Sequence, residues 1–243
     1  MNTRVVLEYD GSRFAGFQRQ ARGRTVQAEL ERALMELTGE AVRVTGAGRT
    51  DAGAHALGQV VNFRLPERFP LPRLVRGLNA RLPEDVAALS AEPVPEEFHA
   101  RYSARWRRYR YRYFDRPGRP ALERGRCWHL RTQLDADAMA MAAGALVGRH
   151  DWTSFCSASE PARARVREMR SASLQRRGEF VELDLEAEGF LRGLARGIAG
   201  ALAEVGLRRR QPEWVGEVLA ARDRRLAPRT APAGGLYLIE VIY

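Results

Sequence analysis

Lysine is absent from this chain; all 40 basic residues are arginine. With no lysine there is no Walker-type phosphate loop. Codon bias in a GC-rich genome accounts for arginine in place of lysine, but not for where the arginines gather. Cysteine is scarce too: Cys127 and Cys156 stand alone, with no CxxC. A disulfide framework and a zinc ribbon are therefore not expected, and the usage suits a reducing compartment such as the cytoplasm. His55, His99, His129 and His150 are scattered, so neither metal-ligand spacing nor a Ser-His-Asp arrangement can be argued. No apolar run is long enough for a membrane span, and the N-terminus has no signal-peptide pattern. Gly46-x-Gly48 lacks the third glycine of a dinucleotide fingerprint and leads into no helix.

What is present is positive charge on a globular composition. Over 243 residues the net charge is +10, with 45% hydrophobic residues. That length suits one large domain or two small ones, and the charge points to a polyanionic partner. Residues 101–131 hold eleven arginines against two acids, Asp115 and Glu123. Within this stretch, RWRRYRYRYF (105–114) reads as a strand. Arg107, Tyr109, Tyr111 and Tyr113 share one face, and Arg108, Arg110 and Arg112 the other. Arginines interleaved with tyrosines suit RNA, where guanidinium groups meet phosphates and a ring stacks on an unpaired base. A solvated strand face over core tyrosines has the same pattern. A DNA reader is less well supported, because no recognition helix is evident.

The periodicities predict strands at 3–9, 41–46, 59–63 and 86–94, with helices from Thr25 to Gly39 and over 72–82. The order β-α-β-β-α-β is the split βαβ of ferredoxin-like and RNA-recognition folds. Beyond Ala100 the pattern resets. It gives the Arg/Tyr strand, a helix capped by Asp135, a hairpin around Arg177-Gly178, a helix over 190–207, a shorter one from Pro212 and a last strand over 236–242. On the 190–207 helix, Arg192 and Arg196 lie off the apolar stripe, and Gly193, Gly197 and Gly200 would let another backbone approach. The expected class is α+β: two ferredoxin-like subdomains, residues 1–104 and 105–243. Each has a mixed, mainly antiparallel sheet with helices on one side, and a basic cleft separates the two.

Between two expected strands lies Gly46-Ala-Gly-Arg-Thr-Asp-Ala-Gly-Ala-His55. Small residues let a polyanion come close to Asp51, and Arg49, two residues away, could hold the carboxylate ionised by charge pairing. An ionised, oriented carboxylate is a candidate nucleophile. A tight turn with an Asx hydrogen bond would use the same residues.

Gly-Arg-Thr-Asp-Ala-Gly at 48–53, with His55 and Gly58-Gln59-Val60-Val61, resembles the active-site motif of the tRNA pseudouridine synthase A (TruA) family. The resemblance continues in Tyr9-Asp10-Gly11, Phe14-x-Gly16-Phe17-Gln18, Thr25-Val26-Gln27 and Arg107-Arg108-Tyr109-Arg110-Tyr111. It extends to Phe190-Leu191 with Arg196-x-Ile198-x-Gly200, and to Thr230-Ala231-Pro232-Ala233. It implies isomerisation of uridine to pseudouridine at positions 38, 39 and 40 of tRNA by a cytoplasmic homodimer that needs no metal or organic cofactor. It also implies Asp51 as nucleophile, Tyr109 stacking on the target uracil, Arg49 supporting the flipped-out nucleotide and Arg196 pairing with Asp51. Two departures stand out: Leu194-Ala195 before Arg196, where a methionine-containing pair is usual, and Cys156, where a more polar or basic residue is expected. The other reading of the chain is a non-catalytic RNA-binding protein of ferredoxin-like fold.

Overall fold

In the computed structural model, which describes residues 1–66, 69–162 and 165–243, the chain divides into two compact units. One comprises Met1–Arg105 with Tyr237–Tyr243, the other Trp106–Leu236. The last seven residues thus group with the N-terminal unit, so the division is not a single cut along the chain.

The first unit begins with β1 (Asn2–Tyr9), whose Val5, Leu7 and Tyr9 are buried. Next comes α1 (Val26–Thr38), where the Thr25 hydroxyl accepts from the Ala28 N–H and Gly39 ends the helix in a left-handed conformation. Its apolar face is Val26, Leu30, Ala33 and Leu34, and Arg32 pairs with Glu29 and Glu36 on the exposed side. β2 (Thr45–Gly46), β3 (His55–Arg64), α2 (Leu74–Asn79) and β4 (Val86–Pro93) complete the β-α-β-β-α-β order. β1 is antiparallel to both β3 and β4, and β2 is antiparallel to one end of β3. The strand order β4-β1-β3-β2 is that of a ferredoxin-like sheet. At the other end of β3, β10 (Leu236–Ile242) runs parallel to it, with Tyr237 opposite His55.

The second unit is built on β5 (Trp106–Phe114), with a two-residue strand β6 (Trp128–His129) beside it. α3 (Ala136–Gly144), β7 (Gly148–Asp151), β8 (Val166–Arg177), β9 (Phe180–Ala187), α4 (Leu194–Gly206) and α5 (Trp214–Ala221) follow. β5, β9, β8 and β7 pair antiparallel in that order. α3 packs on β8 and α4, and α4 on β5. The fold class is α+β, as the sequence pattern predicts.

Several elements differ in extent. The strand expected over 41–46 keeps only its last two residues, and the helix over 72–82 is reduced to α2 after a short 3-10 turn at Leu71–Arg73. α4 starts at Leu194, not Phe190, because Gly193 is left-handed (φ +76°) and cannot continue a right-handed helix. Its expected stripe is buried, but so are most of its alanines and glycines. A Cβ on Gly197 would lie 2.3 Å from the Phe155 carbonyl oxygen, and one on Gly200 2.4 Å from that of Arg229. These two glycines meet backbone as expected, whereas Gly193 faces open space.

The second unit also buries an acid. Asp115 is 5% exposed and is held by both terminal nitrogens of Arg176 (3.1 and 2.8 Å) and by the Leu134 N–H (2.8 Å). Arg176→Ala would strand this carboxylate, and such a loss costs about 3 kcal/mol. Denaturant unfolding is expected to show a loss of that size, and a loss below about 1 kcal/mol, the range of exposed pairs, would contradict it.

Candidate active site

Asp51 sits in the loop from Ala47 to Ala54, between β2 and β3, and is half-buried. The segments that hold this loop come from far away in sequence. The Phe17 N–H donates to the Thr50 carbonyl (3.2 Å), and the Gly53 N–H to the Phe14 carbonyl (3.2 Å). The Ala54 N–H donates back to the Asp51 carbonyl (3.1 Å), closing a turn around Asp51. At the far end, the Gly11 N–H donates to Nδ1 of buried His55 (3.1 Å), whose ring stacks on Tyr237 at 4.7 Å. Gly11 leaves no space: its Cβ would lie 1.9 Å from the Ala54 carbonyl oxygen.

Below the loop, Tyr9, Thr50 and Gln59 form a buried hydrogen-bonded set. The Tyr9 hydroxyl lies 2.8 Å from Thr50 Oγ1, and Gln59 Nε2 donates to the Gly48 carbonyl (2.9 Å) and to the Tyr9 hydroxyl (3.4 Å). Burial pushes the Tyr9 phenol up to about 12, so it keeps its proton at neutral pH. Sequence reasoning gave Thr50 no role. Its burial beside an exposed Arg49 is the structural sign of one. Arg49 makes no ion pair or hydrogen bond among the described residues. The direct pairing with Asp51 expected from their spacing is therefore not formed, and the guanidinium stays solvated.

Tyr109, Arg196 and the β5 arginines belong to the second unit. Tyr109, Tyr111 and Tyr113 are buried on one face of β5, as the alternation predicts. The Tyr109 ring packs edge-on against Phe190 (4.6 Å), the Tyr113 hydroxyl donates to the Ala199 carbonyl (2.8 Å) and the Tyr111 hydroxyl to that of Pro232 (2.8 Å). Arg196 and Ala231 bond reciprocally: Nε donates to the Ala231 carbonyl (2.7 Å), and the Ala231 N–H to the Arg196 carbonyl (3.0 Å). The Thr230-Ala231-Pro232 stretch is thereby tied to both α4 and β5.

The arginine face of β5 has counter-charges that a linear reading misses. Antiparallel pairing sets Arg108 opposite Glu186, Arg110 opposite Asp184 and Arg112 opposite Glu182. Arg110 holds Asp184 through two bonds of 2.9 Å, and Arg108 reaches Glu186 at 3.2 Å. Arg112 reaches Glu123 at 2.9 Å and Glu182 at 3.4 Å. Arg107, on the tyrosine face, donates to the Glu188 carbonyl (2.6 Å). The arginine face of β5 is thus matched by three carboxylates on β9, which offset only part of the positive excess of residues 101–131.

Among the described residues, no group of three His, Cys, Asp or Glu side chains is placed to hold a metal ion, and no helix is long and apolar enough to cross a membrane.

Residues 5–103 and 142–243 match a family model described as tRNA pseudouridine synthase. The chain is 46% identical over 242 residues to the tRNA pseudouridine synthase A of Moorella thermoacetica, covering 99% of this chain and 98% of the relative. It is 45% identical to that of Thiobacillus denitrificans, covering 100% and 94%. The enzyme of the same name from Caulobacter vibrioides is 44% identical, covering 99% and 98%. The family model does not match residues 104–141, which carry Tyr109, but these near-full-length relatives span them.

Proposed function

The chain belongs to the tRNA pseudouridine synthase family, and on that premise we propose that it isomerises uridine to pseudouridine at positions 38, 39 and 40 of tRNA with Asp51 as nucleophile. Membership makes it an isomerase acting on tRNA. The observation that carries the assignment of Asp51 is its placement. It is a half-buried carboxylate in a loop fixed by backbone bonds on both sides, within the Gly48–Gly53 motif.

The reaction breaks the N1–C1′ bond, turns the uracil and joins C5 to C1′, with a proton leaving C5 and one taken up at N1. No water is added, so the second carboxylate of a glycosidase is not required. One carboxylate serves either route, attacking C1′ of the ribose or C6 of the base. The uridine must first leave its stack, which costs about a few kcal/mol and is offset by stacking on an aromatic ring. Tyr109 has that role in this reading. In this reading the solvated guanidinium of Arg49 holds the flipped-out nucleotide, and Arg196 is the charge partner of Asp51. We extend the proposal to a cytoplasmic homodimer. The test is a tRNA with uridine at the three positions beside one with cytidine there. Pseudouridine is expected only in the first, at those positions. Tight binding with no conversion would instead favour the non-catalytic RNA-binding protein.

Arg107, Arg108 and Arg110 contact the tRNA backbone in this reading, where a phosphate competes with the β9 carboxylates for the guanidinium. Arg110→Ala is then expected to weaken tRNA binding and to reduce the slope of log affinity against log salt by about 1. An unchanged slope with reduced stability would make Arg110 a purely structural partner of Asp184.

A further inference from the structure

We propose that Tyr9, Thr50 and Gln59 are positioning residues that fix the direction of the Asp51 carboxylate. This rests on Asp51 being the nucleophile.

The three come from different places: Tyr9 from the end of β1, Gln59 from β3 and Thr50 from the loop itself. Leu7 pairs with Gln59 across β1 and β3, and Tyr9 lies two residues beyond Leu7. The register shifts between those two residues, and the 3.4 Å bond from Gln59 Nε2 to the Tyr9 hydroxyl brings the two side chains together. There they meet the residue immediately before Asp51, through Thr50 Oγ1, and the backbone three residues before it, through the Gly48 carbonyl. The Phe17 N–H takes the Thr50 carbonyl as well. Thr50 is thus held by side chain and backbone together, which leaves little freedom in the peptide that carries the Asp51 side chain.

Stability alone does not explain this choice of residues. All three side chains are buried, where apolar groups of similar shape would avoid desolvating hydroxyl and amide groups. Gln59 Oε1 is buried and has no hydrogen-bond partner among the described residues, a standing cost that the other bonds of the set must offset. A polar network kept despite an orphaned acceptor is accounted for by what it orients. Gln59 Nε2 donates to the Tyr9 oxygen, and the Tyr9 and Thr50 hydroxyls share one hydrogen bond of 2.8 Å, so the bonds run as a chain from Gln59 through Tyr9 to Thr50. The one residue at the end of this chain is the neighbour of Asp51.

The test compares Tyr9→Phe, Thr50→Val, their combination and Thr50→Ser in pseudouridine formation on unmodified tRNA, with thermal unfolding alongside. Tyr9→Phe and Thr50→Val are each expected to lower kcat by about 10- to 100-fold, the scale set by a misplacement near 1 Å. KM for tRNA should stay within about twofold and the double variant should fall no further than the singles, because one network is broken once. Thr50→Ser, which keeps the hydroxyl, should recover most of the rate. Full kcat in both single variants would overturn the proposal, as would losses that multiply in the double variant or a Thr50→Ser as slow as Thr50→Val. Asp51→Ala, run in parallel, separates the two levels. If it is inactive while the single variants keep wild-type kcat, only the positioning role fails. If Asp51→Ala is itself active, the nucleophile assignment fails.

Discussion

Asp51→Asn is expected to bind tRNA as well as the wild type and to form essentially no pseudouridine. Asparagine keeps the size of the side chain, and the loop bonds around it run through the backbone and through Thr50, so they survive the change. What is lost is the negative oxygen that attacks carbon. Removal of a covalent nucleophile that acts with its partners as a unit lowers kcat by about 10⁴-fold or more. Binding should not suffer: affinity for a polyanion comes from a chain of net charge +10, and deleting an acid near phosphate removes a repulsion. Quantifying pseudouridine after a single turnover, with filter binding at the same enzyme concentrations, separates the two effects. A turn residue whose side chain only accepts an Asx hydrogen bond would tolerate asparagine with little change in rate.

Gly11→Ala is expected to damage both the fold and the rate, although residue 11 is forty positions away from Asp51 in sequence. The added methyl would lie 1.9 Å from the oxygen and 2.5 Å from the carbon of the Ala54 carbonyl. These are backbone atoms, so no rotamer change relieves the overlap, and the Asp51 loop or the turn at Gly11 has to move. Overpacking of this kind costs about 1–3 kcal/mol, and this contact belongs at the upper end. For a chain of this size that is about 2–4 °C in Tm for each kcal/mol. Any shift at Ala54 is passed to Asp51 through the turn that joins them, and the Gly11 bond to His55 is strained too. A fall in kcat of about 100-fold is expected in the molecules that remain folded, since the nucleophile is displaced by something near 1 Å. Wild-type Tm and kcat would show that the loop accommodates the methyl and that Gly11 does not set its position.

Local chemistry made most of the fold legible. The Thr25 cap and the Gly39 stop fix α1, and the Asp135 side chain accepts from the Ala138 N–H at the start of α3. Strict alternation sorts β5 into tyrosine and arginine faces, as observed. Where the reading failed, the deciding fact was non-local. Gly193 looks tolerable inside a helical period until its backbone is seen to be left-handed. The two-residue strand β6 pairs with β5 and has no pattern of its own, and the strand expected over 41–46 is paired only where β3 lies beside its last two residues.

The candidate site divides in the same way. Asp51 could be picked from its glycine-lined motif, and Tyr109 from its strand. Arg196 needed the family resemblance, since on periodicity it is one arginine beside an apolar stripe. Thr50 was invisible because its partner, Tyr9, is 41 residues away. The counter-charges of the β5 arginines are hidden from a linear reading for a related reason. Their carboxylate partners on β9 are 70 or more residues further along the chain, so a charge count along 101–131 could not include them.

The most direct test of the account is a single-turnover assay. One unmodified tRNA with uridine at positions 38, 39 and 40 is mixed with excess wild-type protein or excess Asp51→Asn, at matched occupancy, and pseudouridine is mapped by position. The account predicts conversion at those positions by the wild type and none by the variant on the same timescale. A variant that converts them at the wild-type rate would remove Asp51 from the chemistry.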